Sequence, residues 1–169
     1  MKKLLLMCLF LSFQTQAQDI MQQLQDMIKT EPNVEVNLGA GMLGLLSGMT
    51  QSEGEVADVM KNLTEIVVRV YELDDDFDGD ITQIKSWVND TAKGMKASGF
   101  QQLAAIREDD STVFILAEMD KQTMKGLSVM ALDDESELVV IKIGGQILLK
   151  DLGVLMDRFN VDISDIDIN

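Results

Sequence analysis

The sequence has no histidine, one cysteine, one proline and one tryptophan in 169 residues, and aromatic side chains make up only 5% of it. Without imidazole there is no Ser-His-Asp or Cys-His relay and no histidine-ligated zinc, copper or haem. A lone cysteine, Cys8, cannot close an intrachain disulfide. Positive charge is also scarce: 14 Lys and Arg stand against 29 Asp and Glu, a formal charge of -15. Nucleic acid is therefore excluded as a partner, because phosphate neutralisation needs clustered Lys and Arg. Long apolar runs are missing too; the best, Leu4 to Phe13, is roughly half the length needed to span a bilayer.

What is present reads as one exported, folded domain. At 46% hydrophobic with a mean hydropathy of +0.08, the chain is too apolar for a disordered acidic tail. No tandem repeat, low-complexity tract or Pro/Gly linker divides it. Residues 1–17 have the pattern of a secretory signal peptide. Lys2 and Lys3 precede the apolar run, and Thr15-Gln16-Ala17 places small residues where a signal peptidase inspects, so cleavage is expected after Ala17. Cys8 sits mid-run after Met7, a poor position for lipid attachment. Removing the leader takes the only cysteine and leaves residues 18–169 as a single domain dependent on its core, in the periplasm or outside the cell. No transmembrane anchor is expected.

Hydrophobic periodicity gives the elements. Asp19 to Lys29 is a helix with Ile20, Leu24, Met27 and Ile28 on one face, ended by Pro32. Val34 to Leu38 alternates as a short strand. Ala40 to Met49 is a small-residue helix carrying Gly41, Gly44 and Gly48. Ser52 and Glu55 form a capping box for a helix with Val56, Val59, Met60 and Leu63 inside. Ile66 to Val70 is a strand, and Ile81 to Met95 a long amphipathic helix stopped by Gly99. Four strands follow, at Phe100 to Arg107, Thr112 to Met119, Lys125 to Leu132 and Glu137 to Gly144, joined by short polar turns. Leu148, Leu149, Leu152, Leu155, Met156 and Phe159 outline a last helix before an acidic tail. The expected fold is α+β: a mostly antiparallel sheet with a C-terminal four-strand meander and amphipathic helices packed on one face.

Three stretches, in this order, resemble a family. They are Val34-Glu35-Val36-Asn37 leading into Met42-Leu43, the I-x-V strand within Leu63 to Tyr71, and Val140 to Leu155 with Ile141-Lys142-Ile143-Gly144-Gly145 and Asp151-Leu152. The chain in this respect is similar to domain-of-unknown-function family 4252, found in exported Bacteroidetes proteins, over about residues 33–157. The resemblance implies a fold and a compartment, and brings no catalytic residue with it.

The sharpest chemical motif is Asp74-Asp75-Asp76-Phe77-Asp78-Gly79-Asp80. Read from Asp74 it is D-x-D-x-D-G, a spacing that can aim the carboxylates of Asp74, Asp76, Asp78 and Asp80 at Ca²⁺. The twelfth position, however, is Lys85 where an acid should close the loop. The favoured reading is a solvated turn in which Asp78 or Asp80 caps the following helix, with weak Ca²⁺ uptake as the alternative. Gly44-x-x-x-Gly48 reads as close packing of a helix on the sheet, and otherwise as a face for a partner helix or lipid chain. Glu118, Asp120, Asp133 and Asp134 read as hairpin-turn surface charges, since an acid/base pair needs burial to separate its pKa values. No S-x-x-K or G-x-S-x-G occurs. Ser111, in Asp110-Ser111-Thr112, matches a short O-glycosylation pattern. The expectation is a non-catalytic envelope protein that binds a protein partner or an apolar ligand. No cofactor is expected, and the alternative is a calcium-binding module using the Asp74 to Asp80 loop.

Overall fold

The computed structural model describes residues 20–49, 59–73, 77, 79–108, 111–121, 123–133 and 137–148. The expected signal peptide, the Ser52/Glu55 capping box, Asp74, Asp76, Asp78, Asp134 and the expected last helix after its first residue lie outside the described residues; that first residue, Leu148, ends a strand instead. The elements run α1 (Ile20–Ile28), β1 (Val34–Gly39), α2 (Ala40–Met49), β2 (Leu63–Glu72), α3 (Ile81–Ala97), β3 (Gln101–Arg107), β4 (Thr112–Asp120), β5 (Thr123–Leu132) and β6 (Glu137–Leu148).

The β-branched run of β2 and the alternating segments β3 to β6 form a single six-stranded antiparallel sheet in the order β1-β2-β6-β5-β4-β3. Period-two alternation sorts the side chains onto two faces, and both are apolar. On the first face Phe114, Leu116, Met130, Leu132, Leu138 and Val140 are buried to 1% exposure or less, beneath Leu24 of α1 and Ile84, Val88 and Ala92 of α3. On the second face a cross-strand row of Leu38, Ile66, Ile143, Leu127 and Ala117 meets Leu43 of α2. A parallel row of Val36, Val68, Ile141, Val129, Ile115 and Ala104 is half-buried.

The helices therefore divide between the faces, which corrects the expectation that all pack on one. The reason is the strand chemistry: Val, Ile and Leu at consecutive positions leave both sides of the sheet apolar, and each needs a cover. The glycines of α2 also differ from expectation. Leu43 and Ser47 are the buried residues of that helix, whereas a Cβ at Gly41, Gly44 or Gly48 would meet nothing within 4 Å. They provide no close approach to the sheet, and Met42, Leu45 and Met49 stand exposed beside them.

Arg69 of β2 fastens α1 to the sheet. Its Nη1 donates to the Met21 carbonyl at 3.1 Å and to Gln25 Oε1 at 3.2 Å, and its Nη2 pairs with Glu35 of β1 at 3.2 Å. The ion pair is partly solvated, so its contribution is geometric more than energetic. Helix α1 ends at Ile28, earlier than Pro32 requires, because Lys29 turns to a φ of 58°.

Candidate functional site

Two local features open a cavity between the helices and one end of the sheet. The first is the C-terminus of α3. Gly99 takes a φ of 103°, Gly99 N–H donates to the Lys96 carbonyl, and Phe100 N–H donates to the Met95 carbonyl at 3.0 Å. This is the paired closure that a glycine after a helix allows. It reverses the chain so that Met95 and Phe100 face the same cavity, in line with Trp87, Thr91 and Ser98 along one stripe of α3.

The second feature is a set of register shifts at that end of the sheet, between Leu63 and Glu65, between Glu118 and Met119, and between Met124 and Gly126. Bulges re-aim side chains where they occur. Here the shift at Lys125 sends Met124 to the second face, where it is fully buried. It leaves the row Glu65, Gly144, Gly126 and Glu118 as the cavity floor.

The cavity measures about 690 Å³, within the range of roughly 300–1,000 Å³ usual for small-ligand sites. Ile20, Trp87, Met95 and Phe100 give it apolar walls; Ser128 and Lys142 complete the floor. Two of its polar groups are out of balance. Ser128 is 2% exposed and its Oγ has no hydrogen-bond partner, and the buried Nε1 of Trp87 has none either. A buried donor or acceptor left unmade costs about 1–3 kcal/mol, and both atoms are closed off from the open space of the cavity.

The lysines of the cavity are already engaged. Lys142 pairs with Glu65 at 2.9 Å and Lys125 with Asp120 at 2.9 Å. The hydrogen bond from Lys125 to Asp120, followed by the charge of the same carboxylate, holds the Lys125 pKa above its ordinary value. Asp90, at the rim, is paired with Lys93.

The residues singled out in the sequence are scattered relative to this cavity. Asp80 is the N-cap of α3: its Oδ1 accepts the Thr82 N–H at 2.8 Å. Asp74, Asp76 and Asp78 lie outside the described residues, and among the described residues no group of three potential ligands could hold a metal. Asp133 accepts the Glu137 N–H at 2.7 Å at the far end of β5, a whole strand from Glu118 and Asp120. Asp133 is thus remote from the other two, whereas Glu118 and Asp120 both act on Lys125. Ser111 is half-buried.

Sequence reasoning passed over the floor entirely. Glu65, Gly126 and Ser128 carry no motif, and Glu118 reads as a turn charge. A usable signal exists in hindsight: Ser128 is a hydroxyl placed on the inward phase of an otherwise apolar alternation, Met130 and Leu132 sharing its face.

The sequence model of the family described as a domain of unknown function, DUF4252, matches residues 12–155, most of the chain. The chain belongs to the DUF4252 family. No curated protein matches it in sequence. Every residue of the cavity falls within the matched DUF4252 region, so the site belongs to the family domain and not to an appended segment. No described helix is long and apolar enough to cross a membrane.

Proposed function

We propose that this DUF4252 protein is an exported, non-catalytic envelope protein that works by binding, and that the cavity beneath α3 receives a ligand with an apolar body. One observation carries the reading: a cavity of ligand size, about 690 Å³, is walled by Ile20, Trp87, Met95 and Phe100 and floored by the row Glu65, Gly144, Gly126 and Glu118. A concave and largely apolar cleft of this size is the usual form of a small-ligand site. A non-catalytic role is supported by the chemistry at hand. The floor offers two carboxylates and ion-paired lysines, and the Ser128 hydroxyl is buried. Export is supported by the leader pattern of residues 1–17.

Native mass spectrometry of protein isolated from its own cells tests this. A retained small molecule, lost when Gly126→Leu fills the cavity, is the expected result; identical spectra for the two proteins contradict it. A Cβ at Gly126 would make only ordinary contacts, 3.7 Å from the Ile143 carbonyl, so the larger side chain grows into the cavity.

A protein partner is the second reading, favoured by Met42, Leu45 and Met49 standing 50%, 65% and 81% exposed on α2. Calcium binding by the Asp74 to Asp80 loop ranks below both, because the Asp80 carboxylate is committed to the cap.

A further inference from the structure

The cavity floor has a sign. Glu65, Gly144, Gly126 and Glu118 lie side by side on β2, β6, β5 and β4. Three strand spacings separate the two acids, about 14 Å between their backbones, and the two glycines between them raise no side chain. Glu65 leans over the first of them, its Oε1 3.0 Å from where a Gly144 Cβ would stand, so the open floor lies over Gly126 at the Glu118 end. Glu65 is neutralised by Lys142 at 2.9 Å. Glu118 makes neither an ion pair nor a hydrogen bond among the described residues, and the nearest cation, Lys125, is held by Asp120. The charge of Glu118 also acts on Lys125, so Glu118, Asp120 and Lys125 together carry one net negative charge beside Gly126.

We propose that the pocket takes an organic cation, a primary amine carried on an apolar or aromatic body; this rests on the reading of the cavity as a ligand site. The ammonium group sits over Gly126, where Glu118 Oε2 lies 3.9 Å from the position of a Cβ, and donates to Glu118. The body of the ligand lies against Trp87, Met95 and Phe100. Aromatic faces attract cations, and a thioether adapts to the shape placed against it. An anionic ligand meets the opposite conditions: both lysines are occupied and Glu118 repels it. At -15 overall, the protein also raises the local concentration of cations. Because Glu118 is exposed, its pair with the ammonium adds at most about fivefold in affinity; burial of the apolar body supplies the rest.

Trp87 is the only tryptophan and lines the cavity, so its fluorescence reports binding directly. The mature protein is titrated with hexylamine, hexanol and hexanoate. The expected order is amine tightest, by up to about fivefold over the alcohol, with hexanoate weakest. Glu118→Gln should erase the advantage of the amine and leave the alcohol unchanged. Gly126→Leu should abolish all three responses, with Gly126→Ala as the folded control. Hexanol or hexanoate binding as tightly as hexylamine overturns the cation proposal while the pocket stands, as does an amine preference that survives Glu118→Gln. No response to any probe, or responses that persist in Gly126→Leu, overturn the pocket reading and the proposal together.

Discussion

Replacing Gly145 by alanine tests the logic of the sheet at its tightest point. Gly145 of β6 has a φ of 125°, a backbone region that residues with a Cβ rarely adopt. It faces the register shift of β2 between Leu63 and Glu65. A Cβ there would strike the Asn62 carbonyl oxygen, would lie 2.5 Å from Leu63 Cα and 2.8 Å from Thr64 N. All three are backbone atoms, so no side-chain rotation relieves the overlap. Backbone strain of this kind costs about 1–3 kcal/mol and overpacking about 1–3 kcal/mol, and the centre of the combined range is about 4 kcal/mol. With a urea m-value of about 2 kcal/mol/M for a domain of this size, the unfolding midpoint should fall by about 2 M. The control is Gly44→Ala in the middle of α2, where a Cβ meets nothing within 4 Å. There the better helix propensity should stabilise by about 0.5–1 kcal/mol. Urea unfolding followed by far-UV circular dichroism measures both. A loss below about 1 kcal/mol for Gly145→Ala, or the two variants moving in the same direction, refutes the reasoning.

Three further predictions concern the remaining polar groups. Arg69→Met should destabilise by about 1–3 kcal/mol, because it removes the donors to Met21, Gln25 and Glu35 that fasten α1; loss of hydrogen-exchange protection confined first to α1 checks the mechanism. Burial raises the Tyr71 pKa above 10, partly offset by the neighbouring Arg69. The folded state thus holds the phenol proton longer than the unfolded chain does, and this stabilisation is complete below pH 10 and disappears as pH rises through the folded pKa. Stability measured from pH 9 to 12 should fall more steeply in the native protein than in Tyr71→Phe, and equal slopes would contradict the assignment. Calcium at millimolar concentration should leave Tm unchanged, since Asp80 serves as the helix cap; a clear upward shift would place a cation in the Asp74 to Asp80 loop.

The strands and the long helix were legible in the sequence because each carries a strong local period. The alternation of Thr112 to Met119 and the stripe of Ile84, Val88 and Ala92 emerge in β4 and α3 with boundaries moved by a residue or two. Gly99 stops α3 as its position suggests. The distribution of helices over two faces was not legible. Val68, Val129 and Ile141 are apolar at positions that a one-sided sheet would make polar, yet no local pattern says which helix covers which side. The cavity was further out of reach, because its floor comes from four strands and its walls from α1 and α3. Only strand register brings Glu65, Gly144, Gly126 and Glu118 into one row. The Asp74 to Asp80 motif, the most visible feature in one dimension, places Asp80 at a helix start.

The central claim, that the space beneath α3 is a binding site, is tested most directly by the indole N–H resonance of Trp87 in the ¹⁵N-labelled protein, recorded against a panel of small amphipathic compounds. With a single tryptophan the resonance needs no assignment. The account predicts that compounds that bind move this resonance together with the amides of Gly126 and Ser128, and that Gly126→Leu removes the effect. Compounds that bind while leaving Trp87, Gly126 and Ser128 unmoved, or a panel that moves nothing, would contradict it.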